Sequence, residues 1–242
     1  MIGVAAPTIA TMATYTVMQF ADGLMVSRIQ PPDPVYVSAQ GNGGMWMWVA
    51  ICFAVGLVGV VNTYVAQYLG RGQPRQGAAY AWAGIWFSAG FWVLLLPYAL
   101  LLPLLFEHGL GHTGKLLALE SSYAQICLFG AIFVMVGRGV GQFFFGLHKA
   151  AIPLIAALVA VVANVVSNWV LIYGNLGAPA LGVNGAAYGT VIGSACELAV
   201  LLGVFLCPRY ARTFGTRATW RPRLKPLKDI FRLGWPAGAM IV

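Results

Sequence analysis

Four polar side chains stand inside long apolar runs of this chain, and together they make a set of oxygen ligands. Asp22 lies in the run Gln19-Phe-Ala-Asp22-Gly. A carboxylate inside an apolar span is costly and points to function; the alternative is a hydrated carboxylate at the membrane interface. Asn164 and Asn168 stand at i and i+4, a spacing that puts both amides on one helix face. That face must point inward, either to ligate a cation or to hold helices together by hydrogen bonds. Thr190 follows the small-residue run Gly185-Ala-Ala-Tyr-Gly, and adds a hydroxyl beside backbone carbonyls. One carboxylate, two amide oxygens and a hydroxyl suit a proton or a small hard cation such as Na⁺. No other cofactor and no resident metal are expected.

A second polar pair lies deeper along the chain. Glu197 is another acid within an apolar run, and Arg138 is its natural partner. The pair reads either as a structural salt bridge or as part of a transport path. His108 and His112, beside Glu107, sit in a glycine-rich stretch that reads as a solvated loop rather than a metal site. His148 and Lys149 read as headgroup contacts. Trp46, Trp48, Tyr64 and Tyr80 belong either to interfacial belts or to a cavity wall for aromatic cations. Ser194 follows a glycine, but no span carries a histidine to activate it and no HExxH occurs. The expectation is therefore a protein without enzymatic chemistry. Cys52, Cys127, Cys196 and Cys207 form no CxxC pair and read as small buried hydrophobes.

These residues need helices within a membrane to position them. The chain has 242 residues, 60% hydrophobic and 8% charged, against about 25% charged in a soluble domain. So few charges cannot cover a water-facing surface. A span needs about 20 mostly apolar residues, and six stretches qualify: about Ile2 to Val26, Met45 to Leu69, Ala78 to Phe106, Leu116 to Phe145, Ala150 to Tyr173 and Ala186 to Cys207. Pro7 is expected to bend the first. The expected organisation is a six-helix transmembrane bundle over residues 1–207, a basic linker over 208–228, and the truncated start of a seventh helix over 229–242. The fold class is all-α.

Charge gives the bundle a direction. The net charge is +8, and eight of the fourteen Lys and Arg lie between Arg209 and Arg232. A basic run beside an apolar segment is a flank held at anionic lipid headgroups, and no aromatic–basic interleaving points to nucleic acid. Arg71, Arg75, Lys149 and the basic linker fall on alternate loops, whereas the opposite loops carry only Arg28 and Lys115. The positive-inside rule places the N-terminus and the linker in the cytoplasm. Gly3-Val-Ala-Ala-Pro7 and Gly234-Trp-Pro236 both open an apolar run from that side, as expected of two halves of like orientation.

With these residues located, the chain resembles the multidrug and toxic compound extrusion (MATE) transporters, in particular the N-terminal half of NorM-like members. The matching runs are Pro7 with Asp22-Gly-Leu-Met-Val, Val65-Ala-Gln67-Tyr-Leu-Gly70-Arg-Gly72, and Gly137-Arg-Gly-Val-Gly-Gln142-Phe-Phe-Phe-Gly-Leu-His-Lys149. The most specific is Asn164-Val-Val-Ser-Asn168-Trp-Val-Leu-Ile-Tyr-Gly, followed by Gly177-Ala-Pro-Ala-Leu-Gly182 and Gly185-Ala-Ala-Tyr-Gly-Thr190. Phe231-Arg-Leu-Gly-Trp-Pro236 matches the opening of the family's seventh helix.

The resemblance implies twelve helices in two lobes around a central cavity. It also implies export of small amphipathic organic cations in exchange for Na⁺ or H⁺. It assigns the N-lobe cation or proton site to Asp22, Asn164, Asn168 and Thr190, and links Pro7 to helix bending. It implies a multi-pass protein of a prokaryotic cytoplasmic membrane, with lipids, cationic substrates and a C-terminal lobe as partners. Some members carry a second acid where this chain has Asn168, which leaves the ion open between Na⁺ and H⁺. Two other readings are a lipid-linked precursor flippase, which needs a more basic cavity, and a non-transporting bundle that assembles with a partner.

Overall fold

The computed structural model describes residues 2–239. Among them lie nine α-helices and no strand. These are α1 (Ile2–Ser27), α2 (Pro34–Gly59), α3 (Val61–Gly70), α4 (Pro74–Leu104), α5 (Gly114–Gly146), α6 (Ala151–Tyr173), α7 (Val183–Phe205), α8 (Pro208–Phe214) and α9 (Leu224–Ala239). A π-helical turn, Leu105–Gly109, continues α4, and a 3₁₀ turn, Asn175–Gly177, follows α6.

Local chemistry sets several boundaries. α2 starts eleven residues before the expected Met45, because Asp33 caps it and Pro34 occupies its first position. The Asp33 carboxylate accepts from the Val35 amide at 2.9 Å, satisfying one orphan donor of the first turn. Gly43 stays helical despite its low propensity, since α2 packs closely on α5 there: a Cβ on Gly43 would lie 3.0 Å from the Glu120 carbonyl. The second expected span is broken at Val60, so that α2 and α3 together run from Pro34 to Gly70. α6 ends where Gly174 turns left-handed at φ 75° and its amide bonds the Val170 carbonyl. α9 begins at Leu224, inside the basic stretch, because its first turns are two-faced. Pro226 and Ile230 face the bundle, and Lys225 and Lys228 face outward.

Among the described residues, five helical stretches are long and apolar enough to cross a membrane: Pro34–Gly70, Pro74–Gly109, Gly114–Gly146, Ala151–Tyr173 and Val183–Phe205. The sixth expected span, α1, has the length but not the apolarity, because Thr8, Thr11, Thr14, Thr16, Gln19 and Asp22 interrupt it. The chain is a multi-pass membrane protein. Its outer surface shows this at α6, where Ile155, Leu158, Val162, Val166 and Trp169 form one exposed apolar stripe at helical spacing. Ala156, Ala157, Ala160, Asn164 and Asn168 are buried on the other face.

The interior is packed in three apolar clusters, centred on Phe143, Phe144 and Phe205, on Leu102, Phe106 and Met135, and on Val26, Ile172 and Ala186. All four cysteines are free thiols. At one end, Tyr64 and Tyr80 stack at 4.4 Å, and the Tyr80 hydroxyl donates to Asp229 at 2.6 Å. These tyrosines therefore anchor α9, and the indoles of Trp82 and Trp86 donate to the Thr216 and Trp220 carbonyls. At the other end, Lys115 donates to Asp33 at 2.6 Å. That hydrogen bond holds the half-buried Asp33 carboxyl below the usual carboxylate range. Thus the connections on the Arg71, Arg75 and basic-linker side gather at one end of the bundle, and the α1–α2 and α4–α5 connections at the other.

α6 and α7 approach closely, backbone to backbone, where Gly185 faces α6. A Cβ on Gly185 would lie 2.6 Å from the Leu171 carbonyl carbon, with backbone that cannot give way. Gly185→Ala is expected to destabilise the purified chain in detergent by about 1–3 kcal/mol, the usual range for overpacking. Thermal unfolding checks it against Gly203→Ala, whose site is open.

Candidate cation site

The four candidate ligands come from three helices and meet at one point. Asp22 is 5% exposed, and Asn164 and Asn168 are fully buried. The Asn168 amide donates to Asp22 Oδ1 at 2.5 Å and reaches Asn164 Oδ1 at 3.3 Å. Thr190 stands 3.5 Å from Asp22 Oδ2, and its single hydroxyl hydrogen has a nearer acceptor in the Ala186 carbonyl at 3.0 Å. Asp22 Oδ2 is therefore only weakly held. Among the described residues, the buried Asn164 Nδ2 and Asn168 Oδ1 make no well-formed hydrogen bond, although Asn164 still interacts with the Asp22 carboxylate. An unpaired buried amide oxygen beside a loosely held carboxylate oxygen is a donor set that a hard cation would complete.

The packing of α7 seats this network. Gly185, Gly189 and Gly193 repeat every four residues, so they share one face. A Cβ on Gly193 would meet the Asn164 Cβ at 3.0 Å, and one on Gly189 would overlap Asn168 Oδ1. The small residues let α7 pack closely against α6 and leave room for the asparagine side chains there.

Asp22 opens onto a cavity of about 550 Å³. Its wall includes Gln19, Trp48, Tyr123, Thr190 and Ser194, and its charged lining groups are Asp22, Glu197 and Arg138. Of the aromatic residues considered for a cavity wall, Trp48 lines it. Trp46 packs edge-on against Phe106 at 6.1 Å, and Tyr64 and Tyr80 serve α9.

Glu197 and Arg138 do not form the expected direct salt bridge. Tyr15 stands between them: its hydroxyl donates to Glu197 Oε1, and the Arg138 guanidinium lies 4.0 Å from its ring centroid. Pro7 lies near the start of α1, about four turns from Asp22, and its carbonyl accepts from the Thr11 hydroxyl at 2.8 Å. It touches no member of the site. His108 is exposed as expected, but His112 is not merely solvated. Its Nδ1 lies 2.7 Å from Oε1 of the fully buried Glu120, whose Oε2 accepts from Asn42 at 3.0 Å. Neither Tyr15 nor Glu120 is among the residues expected from sequence. Tyr15 is seven residues before Asp22, on the same face of α1; Glu120 is a further acid in an apolar run.

The sequence pattern of the MatE family matches residues 7–170. A probable multidrug resistance protein NorM of Pseudomonas aeruginosa is 30% identical over 240 residues, covering 97% of this chain and 47% of that protein. A protein of the same description from Agrobacterium fabrum is 27% identical over 210 residues, covering 85% of this chain and 44% of that protein. The chain spans about half the length of the curated relatives it matches. Among solved structures, an outward-facing multidrug resistance MATE family transporter superposes with TM-score 0.85 at 23% identity, over 98% of this chain and 51% of that one. A MOP superfamily transporter from Pyrococcus furiosus, described as having a binding pocket of reversed polarity, superposes with TM-score 0.83 at 23% identity, over 98% and 51%.

Gly189→Ala is expected to lower the melting temperature by pushing the Asn168 amide off Asp22. If the clash is with that amide, Asn168→Ala in the same chain restores part of the loss. A double-mutant cycle should then give a coupling of about 1 kcal/mol or more. Additive effects would place the strain elsewhere.

Proposed function

Because the chain belongs to the MatE family, we propose that it forms the cation-binding lobe of a multidrug efflux antiporter, with Asp22 as the exchange site. The observation that carries this reading is a nearly buried carboxylate, contacted by neutral polar groups from two other helices and open on one side to a cavity. An isolated carboxylate in an apolar interior is costly. It is neutralised by a proton or by Na⁺ with Asn164, Asn168 and Thr190 as oxygen ligands. Asn168 then turns its unpaired oxygen to the ion in place of its amide hydrogens.

Neutralising Asp22 removes the charge that orients Asn168. α1 shifts against α6 and α7, and the bend at Pro7 takes up the movement. The cavity then holds an organic cation less firmly, and the cation leaves outward. By linkage the organic cation must weaken binding of the coupling ion by the same factor. The cavity lining favours cationic cargo over the pyrophosphate of a lipid-linked precursor, since two carboxylates face one guanidinium. The activity is transport without covalent chemistry.

In this reading the N-terminus and the Arg209–Lys228 linker face the cytoplasm of a prokaryotic cell, and the partner is a second lobe of about equal size. The test is dye efflux from cells lacking their own pumps, with this chain joined to the C-terminal lobe of a NorM relative. Efflux driven by a Na⁺ or a proton gradient is expected. Asp22→Asn should abolish coupled efflux while leaving membrane insertion intact. Normal coupled efflux by that variant sinks the proposal.

A further inference from the structure

Two cavities meet inside the bundle. The first borders late α1 and early α2, through residues such as Gln19, Val37 and Gln40. The second, of about 420 Å³, borders Thr8 and Thr11 of early α1, Asn62 of α3, Gln142 and Phe145 of late α5, and His148 beyond it. By chain direction these linings belong to opposite ends of the bundle. The second cavity lies toward the end that carries the α3–α4 and α5–α6 connections. Tyr15, Arg138 and Glu197 line both cavities, and so form the wall between them.

That wall is assembled from three helices and held by polar contacts. Tyr15 of α1 gives its hydroxyl hydrogen to Glu197 of α7 and its ring face to Arg138 of α5. An unpaired carboxylate or guanidinium within a span is costly. Tyr15 gives each of them a partner and closes the passage in doing so. The titratable and charged groups facing Glu197 are Tyr15 from α1 and Arg138 from α5; Asp22 borders the first cavity and His148 the second. Tyr15 and Asp22 stand two turns apart on one face of α1, so a movement of α1 at Asp22 carries Tyr15 with it.

We propose that Glu197 is a second station for a monovalent cation, Na⁺ or H⁺, and that Tyr15 is its cover. A cation arriving from the Asp22 chamber takes the Glu197 oxygen in place of the Tyr15 hydroxyl. The phenol keeps its proton and loses only its acceptor. Its ring then leaves Arg138, and the two chambers join. The source of the cation rests on the reading of Asp22 as an exchange site; the wall between the cavities does not.

Thiol labelling tests this in the full chain. The four native cysteines are replaced by alanine and Gln142→Cys is introduced in the second cavity. A membrane-impermeant thiol reagent is applied to right-side-out and inside-out vesicles. Labelling is expected to be fast from the end onto which the second cavity opens and slow from the other. Tyr15→Phe and Glu197→Gln should raise the slow rate about tenfold, the weight of one hydrogen bond to a charged group. Na⁺ or lowered pH should raise it in the parent and not in Glu197→Gln. Tyr15→Phe loses a single oxygen and decides the matter if Glu197→Gln fails to insert. Far-end rates equal to the parent's in Tyr15→Phe, or a parent rate unmoved by both Na⁺ and pH, overturn the proposal. Failure of the exchange reading shows separately, as normal coupled efflux by Asp22→Asn, whereas the wall is judged on the labelling rates of Tyr15→Phe and the parent alone.

Discussion

A carboxylate inside a hydrocarbon slab has no water to solvate it, and the bundle is organised around that constraint. Three of the six acidic residues lie well inside long helices: Asp22, Glu120 and Glu197. Each is answered from other elements. Asp22 of α1 draws Asn168 from α6 and Thr190 from α7. Glu120 of α5 draws Asn42 from α2 and His112 from the connection before α5. Glu197 of α7 draws Tyr15 from α1, with Arg138 of α5 stacked behind it. Buried polar groups of this kind are tolerated only when satisfied. The need to satisfy three acids therefore links α1, α2, α5, α6 and α7 more specifically than apolar contact could, since lipid tails are as apolar as leucine.

Close approach is the means by which those partners reach. At the usual interaxial distance of about 8–10 Å, a polar side chain between two helices needs room that a small residue on the facing helix provides. At the Asp22 site the gap is narrowed by glycine on α7, where Gly189 stands against Asn168 and Gly193 against Asn164. At the Glu120 site Gly43 of α2 does the same, with Tyr123 and the Glu120 carbonyl within 3.0 Å of a Cβ built there. Glycine costs helix propensity at each place. The return is a polar contact that a larger residue would prevent.

The sequence displayed the Asp22 network because each member is conspicuous in its own run. A carboxylate and two amides at i, i+4 stand out against valine and alanine, and the small residues before Thr190 signal a close helix. Their meeting could be read; their role as ligands rests on the proposal above. Tyr15 was not legible, because a tyrosine in an apolar run serves an interfacial belt as readily as a polar contact, and its partner lies 182 residues away. The same holds for Glu120, whose partner Asn42 is 78 residues away in a stretch whose glycines read as loop. The break at Val60 was hidden because Gly59-Val-Val61 is apolar on both sides. The polarity of α1 was visible residue by residue, yet its length alone suggested a span as apolar as the others.

The three acids obey one rule of burial and still differ in what they can do. Glu120 has both oxygens engaged, one by His112 and one by Asn42, and it borders neither of the two cavities. A cation could reach it only by breaking two good contacts, so its chemistry is that of a fastener between α2 and α5. Asp22 has one oxygen firmly bound and one loosely, and it borders the first cavity. Glu197 borders both cavities and accepts from Tyr15, which lines both as well. Burial makes each acid worth pairing; exposure to a cavity, with one oxygen left weakly held, makes it exchangeable. On the two proposals above, a cation passes from Asp22 to Glu197 through the first cavity and onward through the second. That line follows α1, which among the described residues is a long helix whose polar residues leave it short of the apolarity of a membrane span.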